Sequence, residues 1–201
     1  MANSQAEKLR NHKKIIDIAS KRLREVGLEG LSIAGLMAEA GLTNGAFYKH
    51  FESRDAFVAE AIDWALQEAV RARASAKSAS QVNRTLRSVV DGFLSERHRD
   101  DIETACAVSA LVSDVARAND EVRSLYTEQV KRNFADLGEL VDKSVPDERR
   151  RAAIVAFSAM AGALGLARAV SDKHLSREIL DAVREFVLAE FSRPSPGKGR
   201  K

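Results

Sequence analysis

Residues 43–50 hold side chains that suit recognition of a polyanion better than covalent catalysis. The run reads Thr-Asn-Gly-Ala-Phe-Tyr-Lys-His, with small and polar residues first and hydroxyl, ammonium and imidazole groups last. At the start of a helix, small side chains allow close approach to base edges, and free backbone N–H groups favour phosphate. The later polar groups suit a phosphate backbone. The chemistry expected of this stretch is non-covalent binding of nucleic acid.

Individual roles follow from side-chain chemistry. Asn44 can hydrogen-bond a base, Gly45 allows backbone approach and Ala46 can meet a thymine methyl group, so these three are predicted to contact base edges. Hydroxyl and cationic side chains around them are predicted to contact phosphates: Ser32, Thr43, Tyr48, Lys49, His50 and Arg54. Packing of the Tyr48 ring and a surface ion pair of Arg54 are the alternatives to those contacts.

Two short helices separated by a glycine must position these side chains. Ser32 is a suitable N-cap for the first, and Gly41 stands where a C′ glycine would end it. Thr43 would cap the second, which runs to Lys49. Such a pair makes a helix-turn-helix motif. Capping gives Ser32 and Thr43 a structural role whether or not they also reach phosphate.

The run G-x-x-x-G-A-F-Y-K-H-F from Gly41 to Phe51, with its flanks from Leu31 to Phe57, resembles the DNA-binding signature of the TetR family of bacterial transcriptional regulators. The resemblance covers roughly the first third of the chain, and the remainder agrees in length and helical pattern. It implies an all-α protein with an N-terminal three-helix DNA-binding head and a C-terminal helical ligand-binding and dimerisation domain. It also implies repression that a small molecule relieves.

The predicted domains are a DNA-binding domain at residues 9–69 and a ligand-binding and dimerisation domain at residues 79–192. Residues 1–7 are expected to be disordered, and a first helix is expected over residues 9–26. Ser53 should cap a long helix to about Ser78 that acts as a lever on the head. The small residues of Ser75–Ser80 mark the predicted domain junction.

Five further helices are predicted after the junction, at residues 82–98, 105–117, 119–141, around 152–167 and at 175–191. Thr104 and Asn119 are the expected N-caps of the second and third. Residues 97–101 read as a charged loop, and residues 172–174 as a turn.

Residues 152–167 carry no charge and predict a helix that is buried on every side. Sixteen alanine-rich residues are too few for a membrane span, so no membrane association is expected. Burial within one chain is possible, but a second subunit explains the pattern more easily. With the last helix it would form a four-helix homodimer interface.

The chain has a net charge of +3, and its Lys and Arg residues are concentrated near both ends. Residues 1–24 hold seven Lys and Arg against two acids. Lys13, Lys14, Lys21 and Arg24 are predicted to lie off the apolar face of the first helix. Beside a helix-turn-helix, this favours double-stranded DNA as the partner over a merely solvated basic face.

A small, hydrophobic ligand is the weaker expectation for the C-terminal part. For each candidate, a place in the ordinary core is favoured over a ligand contact. The apolar residues that could line the cavity are Phe93, Cys106, Leu111, Tyr126, Phe134, Phe157 and Met160. Cys106 is the only cysteine, so no intrachain disulfide is possible and a cytoplasmic location fits. Its apolar neighbours predict a buried core residue rather than a redox sensor.

Catalytic signatures are missing from the sequence. The four histidines have no metal-ligand spacing, and no P-loop, G-x-G-x-x-G or G-x-S-x-G motif occurs. No enzyme activity, cofactor or metal is therefore predicted. The function predicted instead is a dimeric regulator that reads a palindromic operator. An activator or effector-independent DNA-binding protein, and an all-helical interaction scaffold without salt-dependent DNA binding, are the rival interpretations.

Overall fold

Every regular element in the described part of the chain is helical, which confirms the all-α prediction. The computed structural model describes residues 2–76, 84–142 and 145–192. Its elements are α1 (Ala2–Val26), α2 (Ile33–Glu39), a 3-10 helix (Asn44–Lys49), α3 (Arg54–Ala76), α4 (Leu86–Phe93), α5 (Glu96–Asp100), α6 (Ala107–Ala110), α7 (Val112–Ala116), α8 (Asp120–Gly138), α9 (Pro146–Ala169) and α10 (Lys173–Phe191).

The chain divides into two compact units. The first unit comprises Met1–Ala79 and Ile102–Gln129, and the second comprises Ser80–Asp101 and Val130–Lys201. Helices α6 and α7 therefore belong with the N-terminal helices, and α6 contacts α3. The functional domains proposed from sequence remain a prediction. The junction predicted at Ser75–Ser80 lies partly outside the described residues.

Helix α1 is the central support of the first unit, and it packs against α2 and α3. Ile15, Ala19 and Leu23 lie on one face of α1 and are completely buried. Val26, expected on the same face, is 48% exposed. The helix begins at Ala2, so the predicted disorder of the first residues is wrong for residues 2–7. No glycine or proline interrupts the sequence there, which lets the helix extend beyond its packed part.

The turn of the helix-turn-helix forms as the sequence predicts. The Ser32 hydroxyl accepts a hydrogen bond from the backbone N–H three residues later, which caps α2. Gly41 has a φ of +75°, the left-handed conformation that a C′ glycine supplies. Its N–H donates to the Ala38 carbonyl, and the Leu42 N–H donates to the Met37 carbonyl. This pair of bonds is a Schellman motif, which ends α2 and redirects the chain.

The predicted second helix of the motif forms as a 3-10 helix over Asn44–Lys49. Thr43 occupies the N-cap position, but its side chain makes no capping bond, so that part of the prediction is wrong. Phe47 anchors the helix from beneath with 1% exposure. Its ring centroid lies 5.1 Å from that of Phe51 and 5.3 Å from that of Phe57. This aromatic cluster fixes the helix on α3, which Ser53 caps as expected.

The helix predicted at residues 82–98 is interrupted. Thr85 and Ser88 form a capping box at the start of α4, and α4 ends at Phe93. The Ser95 hydroxyl then accepts the backbone N–H of His98 at 3.1 Å, which starts α5. Residues 97–101 are consequently not the predicted loop, because most of them lie in α5. A new N-cap inside the apolar pattern accounts for the break.

The helix predicted at residues 105–117 is also divided. Helix α6 begins after Cys106, without Thr104 as its cap, and Leu111 separates α6 from α7. Asn119 caps α8 as expected, because its side-chain oxygen accepts the Val122 N–H at 3.0 Å. The predicted turn at residues 172–174 is shorter, since the Asp172 carboxylate caps α10 and the helix starts at Lys173.

The core of the second unit lies between α4, α8, α9 and α10. Small alanines of α9, such as Ala153 and Ala156, are buried in this core, and α10 packs against α9. Helix α9 is long and apolar enough to cross a membrane by length and composition alone, with 44% of its most apolar window buried. The core helix of a soluble protein passes the same test, so this observation is weak support for a membrane span.

Candidate nucleic-acid interface

The 3-10 helix Asn44–Lys49, termed the recognition helix from here on, presents its polar side chains to solvent. Asn44, Gly45 and Lys49 are exposed, and Tyr48 is 75% exposed. Ala46 is half-buried, and so less accessible to a thymine methyl group than its neighbours. Because the buried Phe47 cluster holds the opposite side, the exposed side is presented on a fixed support. The base contacts themselves remain predictions.

Gly45 is not required by the protein's own packing. A Cβ added at Gly45 would meet no atom within 4 Å, and Gly45 does not have a positive φ. A glycine that neither backbone nor packing demands is consistent with close approach by a binding partner.

We expect Gly45→Ala to weaken DNA binding while leaving the protein at least as stable as before. The added methyl group meets free space in the protein but would stand between the backbone and a base edge. Alanine also favours helical backbone by up to about 1 kcal/mol relative to glycine. Fluorescence anisotropy with operator DNA and thermal unfolding measure the two effects. A stable variant with unchanged affinity would place Gly45 outside the interface.

The predicted phosphate contacts beyond the recognition helix are exposed and stand at helix starts. Ser32 precedes α2, Thr43 precedes the recognition helix, and Arg54 is the first residue of α3. All three side chains are exposed. Helix N-termini favour anions because their first N–H groups lack intrahelical partners. The Ser32 hydroxyl already serves its cap, whereas the Thr43 hydroxyl makes no capping bond.

His50 is the predicted phosphate contact whose surroundings differ most from expectation. Its side chain is half-buried, and Nδ1 is buried without a hydrogen-bond partner among the described residues. Burial lowers the pKa of His50, and the neighbouring His12, Lys8 and Lys49 lower it further. The His12 ring lies 6.1 Å away and contacts the Glu60 carboxylate at 2.6 Å. At neutral pH His50 is therefore a neutral imidazole rather than a phosphate-binding cation.

A pH titration of DNA affinity should reveal this lowered pKa. We expect His50→Gln to bind like the wild type at pH 7.5, because both side chains are neutral there. At more acidic pH, where His50 becomes protonated, the wild type should gain DNA affinity relative to the variant, because the imidazolium adds one phosphate contact and about one unit of salt slope. Because burial opposes protonation, the wild type should lose stability over the same acidic range. Parallel titration curves for both proteins would contradict this assignment.

Two basic residues of α1 bind backbone carbonyls within the unit, although only Arg24 is buried and Lys14 remains exposed. The Lys14 ammonium donates to the Ala40 carbonyl at 2.8 Å, at the end of α2. Arg24, predicted to lie off the buried face, is instead buried, with 1% of its side chain exposed. Besides the local Ser20 carbonyl, the acceptors that hold Arg24 come from distant segments, so helical periodicity within α1 gives no sign of its burial.

The residues predicted to line a ligand cavity are divided between the two units. In the second unit, the Phe157 ring lies 5.9 Å from Phe93 and 5.9 Å from Phe134, and all three rings are half-buried. Met160 is buried in the core of that unit. One cavity of about 220 Å³ opens beside Phe134 at the start of α9. The three aromatic rings thus come together, although their contact with a ligand is a prediction.

The other three candidates belong to the first unit. Leu111 is completely buried, and Cys106 is half-buried rather than fully buried as its neighbours suggested. The Tyr126 hydroxyl donates to the Val108 carbonyl at 2.7 Å, and burial raises the pKa of Tyr126 to about 12. This tyrosine stays neutral and bound to the backbone. None of these observations tests the predicted ligand contacts.

The profile described as "Bacterial regulatory proteins, tetR family" matches residues 15–61. This range contains the helix-turn-helix together with the C-terminal half of α1 and the start of α3. Residues 15–61 therefore form a DNA-binding domain of the TetR family. Members of this family are non-enzymatic DNA-binding transcription factors, in agreement with the predicted absence of catalysis. No curated protein matches the chain.

Solved structures of TetR-family regulators share the fold over nearly the whole chain. A regulator from Agrobacterium tumefaciens is 17% identical with a TM-score of 0.74, covering 92% of this chain and 100% of its own. E. coli NemR, in a reduced-form crystal structure, is 16% identical with a TM-score of 0.72, covering 92% and 99%. A regulator from Cytophaga hutchinsonii is 16% identical with a TM-score of 0.72, covering 94% and 98%.

DNA-binding transcription regulation is therefore the function that this TetR-type domain supports. The recognition helix and its flanks are predicted to supply the polar surface for it. Among the described residues, no group of three His, Cys, Asp or Glu side chains is placed to hold a metal ion.

Proposed function

We propose that this protein is a cytoplasmic homodimeric repressor that leaves a palindromic operator when a small hydrophobic molecule binds. The observation that carries the proposal is an exposed apolar surface on α9 and α10. This surface, termed the apolar face, suits a second copy of the chain, and two copies would present two recognition helices.

On α9 the apolar face includes Val155 and Leu166, and Leu166 is 60% exposed. Ser158, Gly162 and Gly165 lie between them at helical spacing and are also exposed. A Cβ added at either glycine would meet nothing within 4 Å, so packing within the chain does not require glycine there. Small residues allow the close approach of another helix, which a partner subunit would supply.

On α10 the apolar face includes Leu175 and Phe186, and Phe186 is 55% exposed. Ala182 and Ala189 are exposed at helical spacing from Phe186. Two helices from each subunit would form a four-helix interface that covers these side chains. Exposed apolar surface of this kind, on a chain with ordinary charged helices elsewhere, marks an interaction site.

A two-fold dimer would place its two recognition helices in successive major grooves. The half-sites of the operator would then lie about 34–36 Å apart, or multiples of that distance. Asn44, Gly45 and Ala46 would read base edges, and Thr43, Tyr48 and Lys49 would hold the backbone.

Two single substitutions should separate base reading from phosphate binding. We expect Asn44→Ala to lower affinity for the operator by roughly tenfold or more while leaving affinity for random DNA unchanged, because it removes a base contact worth about 1–3 kcal/mol. We expect Lys49→Ala to weaken operator and random DNA alike and to reduce the salt slope by about one. Anisotropy titrations on both DNAs across a salt series make the comparison. Equal losses for both variants on both DNAs would contradict this division.

The proposed ligand is hydrophobic or aromatic, because the candidate side chains in the second unit are the rings of Phe93, Phe134 and Phe157 together with Met160. A ligand would release DNA by favouring a dimer geometry whose recognition helices no longer match the half-sites, with α3 as the lever. Repression, release by a ligand and the cytoplasmic location are parts of the same proposal.

A compound screen against the protein–operator complex tests the proposal. Hydrophobic and aromatic compounds are added at saturating protein, and loss of anisotropy marks release. We expect at least one class to release the wild type and to act less on a Phe157→Leu variant that still binds DNA. Release by no compound class would favour an effector-independent DNA-binding protein.

A further inference from the structure

The buried side chain of Arg24 holds the carboxyl end of α1, and Arg24 is not one of the predicted DNA contacts. The Arg24 guanidinium donates through Nη1 to the Glu103 carbonyl at 3.0 Å and through Nη2 to the Ala65 carbonyl at 2.9 Å. It also pairs with the Glu68 carboxylate. Charge-assisted bonds in a buried site are strong and directional. One side chain thus fastens the turn before α6 to both α1 and α3.

A second contact holds the connection that follows α1. The Asp114 carboxylate in α7 accepts the backbone N–H of Leu28 at 2.9 Å. It also occupies the space beside Gly27, where an added Cβ would lie 2.8 Å from Asp114 Oδ1. Gly27 has a φ of +70°, so a glycine is needed there for the backbone and for the carboxylate. The chain direction after α1 therefore depends on a residue of α7.

Both contacts join the same later segment, Ile102–Ala116, to α1. We call Arg24 and Asp114, with their acceptor Glu103 and donor Leu28, the α1 clamp. Helix α1 in turn supports the helix-turn-helix, since it packs on α2 and Lys14 binds the carbonyl at the end of α2. Moving the clamp would move α1 and, with it, the helices that face DNA.

We infer that the α1 clamp sets the orientation of the recognition helix, so that Arg24 and Asp114 are positioning residues for operator recognition. This inference rests on the proposed function, because orientation matters most when two heads must match one palindrome. The clamp connects α6–α7 with the DNA-binding helices, and through Ala65 and Glu68 it also reaches the α3 lever. Cys106 and Leu111, two of the predicted ligand residues, lie in the clamped segment. A ligand that contacts them would act on α1 directly.

The test compares the affinity of each protein for operators with two different half-site spacings. A residue that only stabilises the fold would not change the ratio of these two affinities. Operator duplexes are prepared with the selected half-site spacing and with one extra base pair between the half-sites. We expect the insertion to cost the wild type about tenfold in affinity, because rigid heads cannot follow the altered spacing. For Asp114→Ala the cost should fall below about threefold, since freed heads can adjust. Asp114→Asn retains an oxygen acceptor for the Leu28 N–H and should behave like the wild type.

Val122→Ala is the matched control for lost stability. Val122 is buried in the first unit, takes no part in the clamp, and should lower stability while preserving the wild-type spacing cost. An unchanged spacing cost in Asp114→Ala would overturn the inference. An equally reduced cost in Val122→Ala would also overturn it, because the effect would then be general destabilisation.

Hydrogen exchange tests the clamp without DNA. Asp114→Ala should speed exchange of backbone amides in α2 and the recognition helix but not in α9, whereas Asp114→Asn should exchange like the wild type. Unchanged exchange in α2 and the recognition helix would overturn the clamp even if the protein selects a palindrome. Faster exchange there in a protein that selects no palindrome would instead support the clamp and contradict the proposed function.

Discussion

Phe47→Ala should abolish DNA binding by unfolding the DNA-binding helices, although Phe47 itself faces away from DNA. The ring is 1% exposed and contacts Phe51 and Phe57, so its removal leaves a cavity beneath the recognition helix. Truncation of a buried phenylalanine costs about 3–5 kcal/mol, a large part of the stability of a typical domain. Circular dichroism and urea unfolding measure the loss. Affinity for operator and random DNA should fall together.

The neighbouring residue provides the matched control. Tyr48 is 75% exposed, so Tyr48→Ala should change stability by no more than about 0.5 kcal/mol. Its hydroxyl is a predicted phosphate contact, so DNA affinity should still fall. Two adjacent aromatic residues would then weaken DNA binding for different reasons, one through folding and one through contact. A stable Phe47→Ala protein with normal DNA binding would contradict the anchoring role of the aromatic cluster.

Phe186→Glu should separate the proposed homodimer into monomers and remove binding to a palindromic operator. The ring is 55% exposed on the apolar face, where a partner subunit would cover it. Two carboxylates buried across a two-fold interface would lack counter-ions, and unpaired buried charge costs several kcal/mol. Sedimentation equilibrium should report half the wild-type mass, while far-ultraviolet circular dichroism should stay unchanged. Affinity for a single half-site should be retained.

Arg177→Glu is the control for the effect of a new carboxylate on α10 outside the apolar face. Arg177 is exposed, and it lies on the side of α10 that carries Asp181 and Arg184 rather than on the apolar face. This variant should remain dimeric and bind the palindrome. A Phe186→Glu protein that stays dimeric would show that the subunits associate through another surface.

Sequence alone predicts those parts of the fold in which residue type and local spacing determine the conformation. The Schellman turn depends on a glycine at the correct distance from the last apolar residue of α2, and Gly41 stands there. The caps by Ser32, Ser53 and Asn119 need only a side-chain oxygen and an N–H three residues later.

Features that depend on distant segments do not show in the local pattern. Arg24 is buried because it binds acceptors that lie 41 and 79 residues away in the sequence. The local sequence of α1 does not contain these acceptors, so it predicts an exposed, solvated cation. His50 has its pKa lowered by burial beside α1, which the helix-turn-helix signature does not contain. In contrast, the break between α4 and α5 has a local sign, because Ser95 followed by Glu96 is a helix start.

The most direct test of the central claim is selection by the purified wild-type protein from a randomised DNA pool across a salt series, with sequencing of the bound fraction. We predict recovery of a palindrome at physiological salt, with half-sites spaced for a two-fold dimer. Specific affinity should exceed affinity for random DNA by about a thousandfold or more. Binding that enriches no sequence and disappears as salt rises would leave only non-specific attraction to a polyanion and would contradict the account of a dimeric operator-binding regulator.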